Sequence, residues 1–125
     1  MAETEIAEFK RHWRERARRE ATHWRSLTSK ARGEARRAAQ VLVHEFGATR
    51  VYLFGSLARE GRFHERSDVD IAAEGIAPEQ FFKAWAAADA CSDTSIEMVD
   101  LGDVGEQTRK LILKYGELLC DTNSD

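Results

Sequence analysis

Val51-Tyr52-Leu53-Phe54-Gly55-Ser56-Leu57-Ala58-Arg59-Glu60-Gly61, followed a short loop later by Ser67-Asp68-Val69-Asp70-Ile71, is the stretch that decides how this chain folds. An apolar run stops at Gly-Ser, and a second strand-like run carries two carboxylates two positions apart. On a strand, side chains at i and i+2 project from the same face. Asp68 and Asp70 are therefore expected to project together, close enough to share a divalent cation. Hard carboxylate oxygens suit Mg²⁺, which binds through one or two carboxylates plus substrate phosphates. Gly55 allows close backbone approach to a phosphate, and Ser56 is placed to cap a short helical turn, Leu57 to Glu60, whose N–H groups face an anion.

The same residues resemble the nucleotidyltransferase superfamily of DNA polymerase beta, and most closely its smallest branch, the minimal nucleotidyltransferases (MNT). That signature is Gly-Ser, about ten residues, then Asp-x-Asp. Here eleven residues, Leu57 to Ser67, separate Ser56 from Asp68, a one-residue difference inside a loop, where length is well tolerated. The resemblance runs from about Ser29 to Asp121. It implies binding of ATP and Mg²⁺, with Asp68 and Asp70 as metal ligands and catalytic carboxylates, and Gly55 and Ser56 holding the terminal phosphates. Arg59, one helical turn beyond Ser56, reads as a charged clamp on the triphosphate or as a surface arginine. Arg62, His64 and Arg66 either line the cleft or are ordinary exposed loop charges.

The family places a third carboxylate on the strand after the next helix, which is here Ser95-Ile96-Glu97-Met98-Val99-Asp100-Leu101. By pattern that position falls on Glu97, where family members often have aspartate. Glu97 is expected either to complete the metal site or to act as general base on the incoming hydroxyl. Asp100 has the opposite strand parity and is not expected to face the cleft.

The expected fold is α/β: a small mixed sheet with helices packed mainly on one face, plus an N-terminal amphipathic helix. Residues 1–28 read as a helical extension, 29–121 as the nucleotidyltransferase domain and 122–125 as a frayed tail. From Glu5 to about Leu27, Ile6, Phe9, Trp13, Ala17, Ala21, Trp24 and Leu27 recur at spacings of three or four and form one stripe. Two tryptophans on that stripe need cover, from the chain's own domain or from a partner or second copy. A polar break is expected at Ser26 to Ser29, then a second helix to Phe46 with Gly47 as its C-terminal cap. Strands follow at Arg50–Phe54, Asp68–Ala73 and Ser95–Leu101. Pro78 opens a helix to about Ala90 that turns Phe81, Phe82, Trp85 and Ala88 inward. Asp103 and Glu106 suggest a capping box for a last helix with Val104, Leu111, Ile112 and Tyr115 as its apolar face. Glu117 to Cys120 reads as a short final strand.

Composition limits the remaining choices. The chain has 125 residues, 42% of them hydrophobic, enough for one domain with a core. No apolar run approaches a membrane span, and the first residues lack the apolar region of a signal peptide, so a cytoplasmic location is expected. Cys91 and Cys120 have no metal-ligand spacing, and His12, His23, His44 and His64 form no spaced motif with them. The net charge of −3 conceals 12 Lys/Arg against 7 Asp/Glu in residues 1–50, and 7 against 15 in residues 51–125. Glutamates interleaved through the basic half favour a solvated helix face over a nucleic-acid surface.

The resemblance further implies transfer of AMP from ATP to a protein hydroxyl, in the setting of an antitoxin paired with a helical HEPN-family toxin. Two other functions fit the residues. One is a non-catalytic module that neutralises a helical partner by contact through the tryptophan stripe. The other is adenylylation of a small molecule, although relatives of that kind carry a further helical domain for the acceptor.

Overall fold

A computed structural model describes residues 2–59 and 63–122. Glu60 to Arg62 of the expected loop, and residues 123–125 of the expected tail, lie outside the described residues. The elements in order are α1 (Glu3–Phe46), β1 (Arg50–Phe54), a 3-10 turn (Gly55–Ala58), β2 (Val69–Glu74), α2 (Phe81–Asp89), β3 (Ile96–Asp100), α3 (Glu106–Tyr115) and β4 (Glu117–Asp121). The four strands form one mixed sheet in the order β3-β2-β1-β4. β1 pairs antiparallel with both β2 and β4, and β2 pairs parallel with β3.

α1 corrects the expected break. It is one helix of 44 residues running straight through Ser26 to Ser29. The polar side chains there do not compete with the helix. Thr28 turns its hydroxyl back onto the carbonyls of Trp24 and Arg25, at 2.9 and 3.0 Å. No glycine or proline lies at that point to stop propagation, and Gly47, at φ 75°, ends the helix in the left-handed conformation as expected. The boundary between residues 28 and 29 therefore falls inside continuous backbone. Residues 2–26 are exposed, and burial begins in earnest at Ala31.

The main core lies between one face of the sheet and the second half of α1 together with α2. Ala31, Ala35, Ala38 and Leu42 meet Val51, Leu53, Val69, Ile71 and Met98 there. Small residues on α1 let the helix approach the sheet closely. Glu34 is the buried charged residue on this face: its carboxylate accepts from the Ser92 hydroxyl at 2.6 Å and the Asp93 N–H at 3.2 Å, tying α1 to the α2–β3 loop. A smaller cluster on the opposite face joins Tyr52, Ala72, Leu101 and Ile112, where α3 packs. Helices thus lie mainly, not wholly, on one face.

Three local expectations change. Phe82 is 77% exposed and does not join the core; Ala84 and Ala88 fill that role, while the Trp85 indole N–H donates to the Ile96 carbonyl at 2.6 Å. A 3-10 turn, Pro78–Gln80, precedes α2, and the exposed Phe82 ring stacks on Trp85 with centroids 6.5 Å apart. On α3 only Ile112 is buried, with Leu111 and Tyr115 largely exposed. The Asp103–Glu106 capping box does not form: Gly105 is the N-cap and no side chain caps the helix. Asp100 and Asp103 belong instead to the turn before α3, where the Asp103 N–H donates to the Asp100 carbonyl at 3.0 Å.

Candidate active site

β1 ends in a backbone turn that only glycine adopts without strain. Gly55 has φ 73°, and a Cβ built on it would run into the Asp70 carboxylate, with Asp70 Cγ at 2.9 Å. The Gly-Ser turn and the second aspartate of the Asp-x-Asp pair are thus in direct contact. The antiparallel register of β1 and β2 produces this, because it sets Phe54 opposite Asp70.

Ser56 lies inside the 3-10 turn, half-buried, and does not cap it; the residue before the turn is Phe54, and no side-chain cap hydrogen bond forms. The Ser56 carbonyl accepts the Arg59 N–H at 3.2 Å and closes the turn. Its hydroxyl is therefore available to a ligand rather than committed to the helix end. The turn is Gly55–Ala58, and the expected extension to Glu60 passes outside the described residues.

The acidic side is assembled by strand register. Asp68 immediately precedes β2 and is exposed, while Asp70 is half-buried inside β2. The parallel pairing of β2 and β3 sets Glu97 opposite Asp70, and Glu97 shares its parity. Burial raises the Asp70 pKa above its ordinary value, and the negative charges of Asp68 and Glu97 push it further the same way. Both carboxylates therefore act on Asp70. Asp100 sits opposite Ala73, with its carboxylate accepting the Gly102 N–H at 2.9 Å, a turn contact away from this group.

Among the described residues, none of the ion pairs involves Asp68, Asp70 or Glu97. Nor do any three His, Cys, Asp or Glu among them converge in ligand geometry. The donor set nevertheless fits a hard divalent cation. It consists of carboxylate oxygens only, the Asp70 carboxyl being held above its ordinary pKa by burial and then by its neighbours' charge, and a cation would relieve that repulsion. Asp68 and Asp70 are the side chains placed to hold it, with Glu97 one strand over.

Two clefts flank the turn. A narrow one of about 180 Å³ opens beside Gly55, between Phe54, Arg59, Ile112 and Tyr115. A wider one of about 710 Å³ lies between α1 and the turn, lined by Trp24, Arg25, Thr28, Arg32, Arg59, Phe63 and His64. Arg59 is exposed and borders both. His64 accepts the Arg66 N–H on Nδ1 at 3.2 Å, Arg66 is exposed, and Arg62 lies outside the described residues. Arg32, which sequence reasoning did not single out, bonds to the Leu57 carbonyl at 3.2 Å and pairs with Glu117, bracing the turn from behind. Nothing in its sequence context distinguishes it from the other α1 arginines.

No helix among the described residues is long and apolar enough to cross a membrane. No curated protein matches the chain. Among solved structures, it is similar to a toxin–antitoxin crystallised with AMP-PNP (22% identity, TM-score 0.60, covering 72% of this chain and 76% of that one). It is also similar to the toxin–antitoxin MntA-HepT (18% identity, TM-score 0.57, 75% of each chain). A third structure, described as a minimal nucleotidyltransferase, matches at 26% identity and TM-score 0.56 over 65% of this chain and 85% of that one. The family model of the polymerase beta nucleotidyltransferases matches residues 37–125, which include the Gly-Ser turn and all three carboxylates. With that match over most of its length, and a fold shared with a minimal nucleotidyltransferase, the chain belongs to the polymerase beta nucleotidyltransferase family.

Proposed function

We propose that this protein is a cytoplasmic, Mg²⁺-dependent adenylyltransferase that moves AMP from ATP to a protein hydroxyl, as the antitoxin of a helical HEPN-type toxin. The observation that carries the reading is the contact of Gly55 with Asp70, beside two further carboxylates that raise the Asp70 pKa. Supporting it are the family match and similarity in fold to toxin–antitoxin proteins, one crystallised with an ATP analogue.

In this reading the Gly55-Ser56 backbone and the Ser56 hydroxyl hold the terminal phosphates, and Arg59 adds a positive charge at the cleft mouth. Asp68 and Asp70 hold Mg²⁺, which when bound would neutralise the triphosphate and align both ends of the displacement. The acceptor oxygen forms a bond to the α-phosphorus, the bond to the β-phosphate oxygen breaks, and pyrophosphate leaves. Glu97 either completes the carboxylate set or takes the hydroxyl proton, and the longer glutamate arm suits a group one strand away.

The test is incubation with α-labelled ATP, Mg²⁺ and a helical HEPN-type protein as acceptor. Label on that protein, lost with Asp68→Asn plus Asp70→Asn, is the expected result. Neutralisation of the toxin without label transfer would favour a contact inhibitor.

A further inference from the structure

The exposed half of α1 carries a stripe whose spacing is symmetric. Ile6, Phe9, Trp13, Ala17, Ala21 and Trp24 follow one another at intervals of 3, 4, 4, 4 and 3. Reversing the helix leaves this pattern unchanged about residue 15. The stripe continues the face that, from Ala31 onward, packs on the sheet, but residues 2–26 are exposed, and the domain meets this segment at His23, which bonds to Glu65 at 2.8 Å. Phe9 is 61% and Trp13 51% exposed. A lone amphipathic helix of this length is marginal in water, and such a stripe calls for burial.

We infer that the free half of α1 pairs antiparallel with the same segment of a second copy, in the register that sets residue n against residue 30 − n. In that register Ile6 faces Trp24, Phe9 faces Ala21 and Trp13 faces Ala17. Each large side chain meets a small one or the opposite end of the stripe, which is the arrangement that interdigitates. The side chains alone set this register, yet it overlaps residues 3 to 27, ending where the helix enters its own domain at the half-buried Leu27 and Thr28. The two domains then lie at opposite ends of the paired helices, with the first turns of each copy beside the other's His23–Glu65 contact.

Charge favours the same occupant. Glu3, Glu5 and Glu8 open the helix, whereas Lys10 to Arg25 holds seven basic residues against two glutamates. Antiparallel pairing brings the acidic turns of one copy alongside the basic end of the other, and Glu5 falls level with Arg25. Those turns would lie over the cleft of about 710 Å³ between α1 and the Gly-Ser turn, whose walls include Arg25 and Arg59.

Sedimentation of the full chain alone tests this. A mass about twice the 14.2 kDa of one chain is expected, with Trp13→Glu giving the monomer mass and an unchanged melting transition of the domain. Orientation is read from Ile6→Cys with Trp24→Cys, in a Cys91→Ser, Cys120→Ser background: an antiparallel pair oxidises to a covalent dimer. These positions lie about 27 Å apart in one helix, so they cannot bond within a chain. A full chain that stays monomeric at high micromolar concentration overturns the inference, as does a dimer that survives Trp13→Glu or yields no covalent dimer. A monomer that gains mass only with a different helical protein assigns the stripe to that partner and equally overturns it.

Discussion

Gly55→Ala should separate the geometry of the turn from its chemistry. Alanine at φ 73° carries a left-handed penalty of about 1–2 kcal/mol. Its methyl would also lie against the Asp70 carboxylate, 2.9 Å from Cγ and 3.2 Å from Cβ, where carbon atoms rest at about 3.5–4.0 Å. Asp70 must swing away, and relief of such overpacking costs about 1–3 kcal/mol. The single variant should therefore lose about 2–5 kcal/mol in urea unfolding without metal. Asp70→Ala removes Cγ and both oxygens, so it relieves most of the clash but leaves Cβ at 3.2 Å and the dihedral penalty. In a double-mutant cycle the double variant should be about 1–2 kcal/mol more stable than the sum of the singles predicts. ATP binding should fall in Gly55→Ala because Asp70 is displaced. A coupling below about 0.5 kcal/mol, within the additivity expected of independent sites, would refute the contact between turn and carboxylate.

Four further outcomes follow from the same geometry. Asp68→Asn plus Asp70→Asn should abolish transfer yet leave the metal-free protein at least as stable as wild type near neutral pH. The folded state raises the Asp70 pKa, so this group stabilises only when protonated and its contribution is lost as pH rises through that raised value; the variant's advantage should therefore vanish toward acid, as thermal melts across pH will show. Ser56→Ala should weaken ATP by about 1–2 kcal/mol and AMP little, and equal loss in calorimetry would remove Ser56 from the terminal phosphates. Glu97→Gln should lower the rate strongly and Asp100→Asn should not; preserved activity in Glu97→Asp indicates a ligand, and its loss a base needing the longer arm. Glu34→Ala, which strands the Ser92 hydroxyl and the Asp93 N–H, should cost about 2–4 kcal/mol in denaturant melts, whereas a surface glutamate such as Glu45 should cost little.

The strand–turn–strand unit of Gly55-Ser56 and Asp68-Val69-Asp70 was legible because strand parity is a local, period-two property. By the same parity Glu97 was expected on the Asp70 side of β3 and Asp100 on the other, and the register sets Glu97 opposite Asp70 and Asp100 opposite Ala73. Gly47 was legible as a cap for a similar reason: a single residue's backbone freedom does not depend on distant neighbours.

Burial was less legible, since it depends on what arrives to cover a side chain. Phe82 and Tyr115 have the spacing of core residues, yet they stand exposed while Ala84, Ala88 and Ile112 take the buried positions. Glu34 reads as an ordinary surface charge until the loop at Ser92 and Asp93 folds over it. The free and packed halves of α1 share one apolar periodicity, so spacing could not tell where the domain's edge would fall. Nor could it tell that Thr28 would bond back onto its own helix rather than end it. By itself, then, the sequence determined which residues carry carboxylates at matching strand parity and where the Gly-Ser turn falls, because side-chain type and parity are written locally. The tertiary structure alone decided that Gly55 touches Asp70, that Glu97 shares its field and that half of α1 stands uncovered, because each depends on elements far apart in the chain meeting in space.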